Sequence, residues 1–324
     1  MSTFRDVAAS ATNCSNIRSI TTEESYSTIT ASAVIECDTT TLSLGDAITV
    51  GLGYDTATTI FSGYCKKIER SRPDNVIRIT AFDNLIRAVD FFIAADDPEA
   101  PFQRNNITSL NLVTDLLALC GITSVTTTEP VPTFVWGTNE DGARFNLQSV
   151  ADGIQFVANI TGNTIYWDSS ATRVEFKGRK PYVDAGDVST HTFSTALGNL
   201  TEITYHRGTD KTRNVIKVYG RTPIVATASA SNPYLVVDQA VVLAHEMIDT
   251  QAMADGAASV NLTMLNRLDE KYEITIEGDN TVKARDIGTV TESFVGASAR
   301  DVFIYRCSNI FNESGWFTSM TCIP

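Results

Sequence analysis

Apolar and polar side chains alternate in short runs along the first ninety residues. Val76 to Phe82 is the clearest case, with Ile77, Ile79 and Ala81 on one face and Arg78 and Thr80 on the other. Such alternation predicts a half-buried strand, because successive side chains of extended backbone point to opposite faces. Thr28–Cys37 is a second, β-branched strand pattern, and Ala47–Leu52 a third, lying between turns at Gly45 and Gly53. Ile60 and Phe61 lead to Gly63, and Tyr64 to Ile68 continues toward a turn at Arg72-Pro73-Asp74. Asp83 is placed to cap a short helical turn over Asn84–Ala88, since a carboxylate there can accept orphan backbone N–H groups. The segment predicts a small twisted barrel or sandwich.

The period then changes. Ala94–Pro101 is acidic, carries two prolines and reads as a boundary. Beyond it, Thr108 or Ser109 caps a helix with Leu110, Val113, Leu116 and Leu117 on one stripe, stopped by Gly121. A second helix is predicted from about Asn146 to Asn159, through Leu147, Val150, Ala151, Ile154, Val157 and Ala158. A hairpin pairs Thr164–Trp167 with Arg173–Lys177 across Asp168-Ser169-Ser170. From about Ser189 the pattern is β again. Leu200–Tyr205 and Asn214–Tyr219 read as a hairpin through Gly208-Thr209-Asp210, and Met247–Leu268 as a long helix. Tyr272–Glu277, Ile287–Val295, Asp301–Cys307 and the segment after Asn312–Gly315 read as strands. The expected class is α+β, mostly β, in three domains: 1–92, 93–188 and 189–324.

Charge narrows the functions open to this fold. The 324 residues hold 38 acidic and 25 basic side chains, a net charge of −13, which argues against gripping nucleic acid through a basic face. It leaves room for a wall past which DNA slides without sticking. No apolar run reaches the length needed to span a bilayer, and the start lacks a basic and then apolar leader, so cytoplasmic synthesis without membrane insertion is expected. The six cysteines form no C-x-x-C pair, and reduced, buried thiols are the reading for such a chain. Cys307 and Cys322 flank the last hairpin, where a bridge is open but not indicated.

The sequence carries no recognisable chemical site. His191, His206 and His245 stand apart at spacings unsuited to metal binding, and read as surface or turn residues. Asn139-Glu140-Asp141-Gly142 suggests a calcium loop. Yet Gly137 would have to be the first ligand and Gln148 stands where the closing Glu belongs, so a solvated turn is preferred. Asp96, Asp97 and Glu99 lie in the proline-bearing linker, a poor place for a fixed acid/base pair. Trp136, Trp167 and Trp316 read as core residues. No catalytic, cofactor-binding or metal-binding residue is assigned, and no cofactor is expected.

The order of motifs nevertheless has a likeness. Phe61 and Gly63, then the charged hairpin, then Ile77, Ile79, Phe82, Asp83 and Leu85 resemble phage tail hub proteins. These are the baseplate hub or late-control family, related to the hub part of type VI secretion spikes. The later helices and the string Arg213-Asn214-Val215-Ile216-Lys217-Val218-Tyr219-Gly220 are similar to the strand entering the second barrel of such hubs. The resemblance implies two tail-tube-like barrels flanking a small α+β insert. It also implies a non-enzymatic homotrimer whose ring adapts a six-fold tail tube to a three-fold central spike and continues the DNA channel. Implied partners are a tail tube or tube-initiator protein, the spike, and also a tape-measure protein and baseplate wedge, within the virion tail baseplate. DNA would pass without specific binding, and the strands of the hairpin become candidates for pairing between subunits. Alternatives are a distal-tail ring or wedge protein, a tail-associated cell-wall hydrolase, and a host-glycan-binding module.

Overall fold

Twelve strands share one hydrogen-bonded sheet. The computed structural model describes residues 6–72, 74–94, 102–127, 134–139, 141–169, 171–178 and 181–324. Within these the chain divides into two compact units, one of Met1–Asn84, Pro181–His206 and Glu270–Pro324, the other of Leu85–Lys180 and Arg207–Asp269. Pro73, Asp96, Asp97, Glu99, Glu140 and Ser170, all singled out in the sequence, lie outside the described residues.

The first unit holds the sheet. Its first six strands are β1 (Val7–Ala11), β2 (Cys14–Ser25), β3 (Ser32–Thr40), β4 (Ala47–Tyr54), β5 (Thr58–Ser71) and β6 (Val76–Phe82). The other six are β7 (His191–Ser194), β8 (Leu200–Gly208), β9 (Asp269–Glu277), β10 (Ile287–Glu292), β11 (Ala297–Asn312) and β12 (Gly315–Ile323). Hydrogen-bonded neighbours run β1-β4-β5-β6-β3-β2-β11-β12-β9-β8, with β10 on β11 and β7 parallel to β10. The join between the halves is antiparallel β2–β11, in register from Ile20 opposite Phe311 to Ser25 opposite Arg306.

Alternation gives each half its own core. Ile20, Ile35, Val50, Ile79 and Ala81 fill the first; Tyr272, Ile274, Val290, Val302 and Ile304 fill the second. Trp316 crosses this division: it sits on β12, yet its ring packs in the first core. Gly278 makes that possible, because a Cβ there would lie 2.0 Å from the indole.

The Phe-Ser-Gly turn of the sequence is a crossing point. Gly63 lies inside β5, where a Cβ would meet the carbonyl oxygen of Phe82 at 2.1 Å, and Phe61 is buried beside it. Asp83 also bonds back toward the sheet. Its carboxylate accepts from the N–H of Ala31 at 2.8 Å, tying the end of β6 to the entry of β3. Helix α1 (Ile86–Asp90) begins after Leu85 without a side-chain cap.

The second unit is the α+β part. Helix α2 (Ser109–Leu119) is capped by Thr108 and buries Leu112 with Val113, Leu116 and Leu117, while Leu110 of the expected stripe is only half-buried. Helix α3 (Val150–Thr161) starts four residues later than the periodicity predicts, because Ser149 and Asp152 form a reciprocal capping box there. Leu147 is left outside, exposed and at positive φ. Asn163–Asp168 and Arg173–Gly178 pair as the expected hairpin.

The span 207–269, read in sequence as part of the last β domain, falls in this second unit. Val215–Tyr219 pairs with Val225–Ser229 and Ala240–Ala244, and not with β8, so the predicted Gly208 hairpin does not form. Helix α4 (Gln251–Leu265) packs on that three-stranded sheet through Met253, Ala254, Ala257 and Ala258. No helix among the described residues is long and apolar enough to cross a membrane.

Candidate assembly interface

Glycines and alternation place β5 and β6 in the middle of the sheet. β6 is bonded to β3 on one side and β5 on the other, which closes it to further pairing. β5 bonds β4 through Thr58–Tyr64 and β6 through Tyr64–Ser71. Of the two hairpin strands, β6 is thus closed to pairing between subunits, whereas β5 from Lys66 to Ser71 is bonded on the β6 side alone. Within the large sheet the strands with an unpaired side along their whole length are β1, β7 and β8. β1 reads Val-Ala-Ala-Ser-Ala, without the lysine, proline or inward charge that usually protects an edge. Beside it lies an open cleft of about 390 Å³ lined by Val7, Ala9, Ala11, Cys14, Ile17 and Phe311.

The seam between the halves carries charge. Glu23 on β2 pairs with Arg306 on β11 at the surface. Behind it Glu24 is half-buried and accepts from the N–H of Ala284 at 2.6 Å. Arg285, buried and at φ +79°, donates to the carbonyl of Ser25 at 2.7 Å. Burial pushes the Glu24 carboxyl above its ordinary 4.5, and the Arg285 charge and the Ala284 N–H oppose that rise. A raised folded-state value means that Glu24's contribution is fully present below 4.5 and is lost as pH rises through that value. Denaturant midpoints from pH 4 to 8 should thus fall more steeply for the wild type than for Glu24→Gln. Parallel curves would show that the seam carboxylate does not titrate in this range.

A groove of about 530 Å³ opens at one end of this unit, between the tip of β4 and the second half. Tyr54, His191, Phe193, Asn199, Glu277 and Asp279 are among its lining residues. His191 lies 3.1 Å from Asp286 and nearly parallel to Phe193. His206 is 3.5 Å from Glu273, and the His245 ring lies tilted against Phe156 with centroids 4.2 Å apart, where burial lowers its affinity for a proton. The three histidines are thus dispersed, and two are more enclosed than surface positions.

The structure brings no metal or catalytic set together. Among the described residues no group of three His, Cys, Asp or Glu side chains could hold a metal ion. In the Asn139–Gly142 turn Asn139 accepts from the N–H of Asp141 at 2.9 Å, and Asp141 pairs with Arg144 and Arg221. Its carboxylate is already spent on cations. Trp136 and Trp316 are buried and Trp167 half-buried. Cys307 and Cys322 are both free thiols in the second core, each pushed up by burial.

A tail protein from Neisseria meningitidis MC58 superposes with a TM-score of 0.72 over 98% of this chain and 96% of its own, at 11% identity. The 43 kDa tail protein of prophage MuSo2 from Shewanella oneidensis gives 0.68 over 98% and 97%, at 14% identity. The fold is that of phage tail proteins. An E. coli type VI secretion component, described as structurally similar to T4 tail proteins gp27 and gp5, gives 0.59 over 98% of this chain and 76% of its own, at 9% identity. The resemblance drawn from the order of motifs is thereby borne out at the level of fold, as is a mostly β α+β class. No family model and no curated protein matches the sequence.

Proposed function

We propose that this chain is a structural hub of a phage tail baseplate, without enzymatic activity of its own. Three copies would form a ring that adapts a six-fold tail tube to a three-fold central spike and continues the DNA channel. In this reading the two six-stranded halves of the large sheet are the two tube-like barrels, and three chains supply six. The observation that carries the proposal is the full-length match to tail proteins, together with a type VI component likened to gp27 and gp5. The unprotected edge of β1 supports it, since such an edge is a hazard in a lone molecule and a joint when a neighbour covers it.

The tube or tube-initiator protein and the spike are the expected neighbours, with the tape-measure protein and wedge as further contacts in the virion tail. The test is the mass of the purified chain in solution, alone and mixed with its spike protein. A trimer, or a three-to-three complex with the spike, is the expected result. A stable single copy indifferent to both tube and spike would overturn the proposal.

A further inference from the structure

The large unit has a basic end and an acidic end. The β5–β6 hairpin from Cys65 to Arg78 holds five basic residues, Lys66, Lys67, Arg70, Arg72 and Arg78, against Glu69 and Asp74, in a chain whose total charge is −13. All five are exposed. Lys67 is paired with Glu69 at 2.9 Å, whereas Arg70 and Arg72 at the tip have no acidic partner among the described residues. Moreover, the pairing of β5 with β4 ends at Tyr64, so the tip half of β5 runs past its neighbour.

The groove lies at the other end. Leu52 of β4 is opposite Thr58, the first residue of β5, and Tyr54 at the end of β4 lines the groove. The hairpin tip begins after Ser71, the last residue of β5. Thirteen strand steps separate these points, about 40 Å along the strand. A hairpin therefore cannot reach the groove of its own chain.

The groove has the chemistry to take arginine. Glu277 is exposed at its rim, Asp279 is half-exposed within it, and the half-buried Tyr54 and His191 give aromatic faces. Guanidinium groups pair with carboxylates and stack on aromatic rings, so both features suit the same side chain. We infer that the Arg70/Arg72 hairpin of one copy docks in the Tyr54–His191–Glu277 groove of the next copy. Two different patches of one surface then meet, which makes the contact heterologous, and repetition by rotation gives a ring. The inference rests on the reading of the chain as a self-assembling hub and assigns the contact that builds it.

Association of the purified chain, followed by sedimentation at low and high salt, tests this. Arg70→Glu with Arg72→Glu should weaken association between copies at least tenfold, and Glu277→Arg alone should do the same. All three substitutions are at exposed positions, and thermal unfolding would check that each variant is folded. Combining all three in one chain should restore assembly. If the wild type assembles and the hairpin variant assembles equally well, the inference is overturned while the hub reading stands. A wild type that remains a single copy at every concentration overturns both. Loss of duplex DNA binding in the hairpin variant, with association unchanged, would also overturn it and make phosphate the partner of the basic tip.

Discussion

Trp316→Ala is expected to cost about 3–5 kcal/mol, as large aromatic truncations in cores do. The unusual part is where the loss should be felt. Trp316 belongs to β12 in the second half, but its ring packs with Ile20, Ile35 and Val50 of the first and lies 5.2 Å from Tyr54. Its indole N–H donates to Asn309, which also accepts from Thr318 at 2.9 Å. Removing the ring leaves a cavity in one half and takes one of two donors from the Asn309 side-chain carbonyl on the strand of the other. Hydrogen exchange should therefore show β3 and β6 losing protection together with β9 and β12. Loss confined to β9 and β12 would mean that the halves are stabilised separately.

Gly63→Ala should be the more damaging substitution, despite adding a single methyl group. The new carbon would sit 2.1 Å from the carbonyl oxygen of Phe82 and 2.6 Å from its carbon, both backbone atoms of the adjoining strand. No rotamer relieves a Cβ, so the strands must part, at a cost above about 4 kcal/mol. Gly208→Ala is the matched control, because nothing lies within 4 Å of the position its Cβ would take. It should change stability by less than about 0.5 kcal/mol. Equal denaturant midpoints for the two variants would refute the close crossing of β5 over β6.

Particular residues show why some of this was legible in sequence. Ile77, Ile79 and Ala81 announce β6 because alternation is the direct consequence of one buried face. Ser149 sets the start of α3 through a local hydrogen bond with Asp152, yet Leu147 extends the apolar period past it and displaces the predicted boundary. β2 escapes notice because Cys14–Ser25 is rich in Ser, Thr and Glu. Its identity as a strand comes from partners on both sides, one of them nearly three hundred residues away. The same long separation hides the groove, assembled from Tyr54 and from residues near 190 and 280. Arg213–Gly220 carries a strand pattern but nothing local says which sheet receives it; α4 covers one face and decides the matter. Gly63 was visible as a glycine, whereas the carbonyl it avoids was not.

The placement of Trp316 also sets a clock. A ribosome adds about 5–20 residues each second, so roughly 10–50 s separate the synthesis of Phe82 from that of Trp316. Throughout that interval the first six strands exist with the indole seat in their core unfilled and β2 without its partner β11. Middle segments of the chain can settle meanwhile, but the large sheet is completed only by the last strands to emerge. A chain cut short before Trp316 leaves a gap in the core of its first half and β2 bonded on one side only where β11 is also lost.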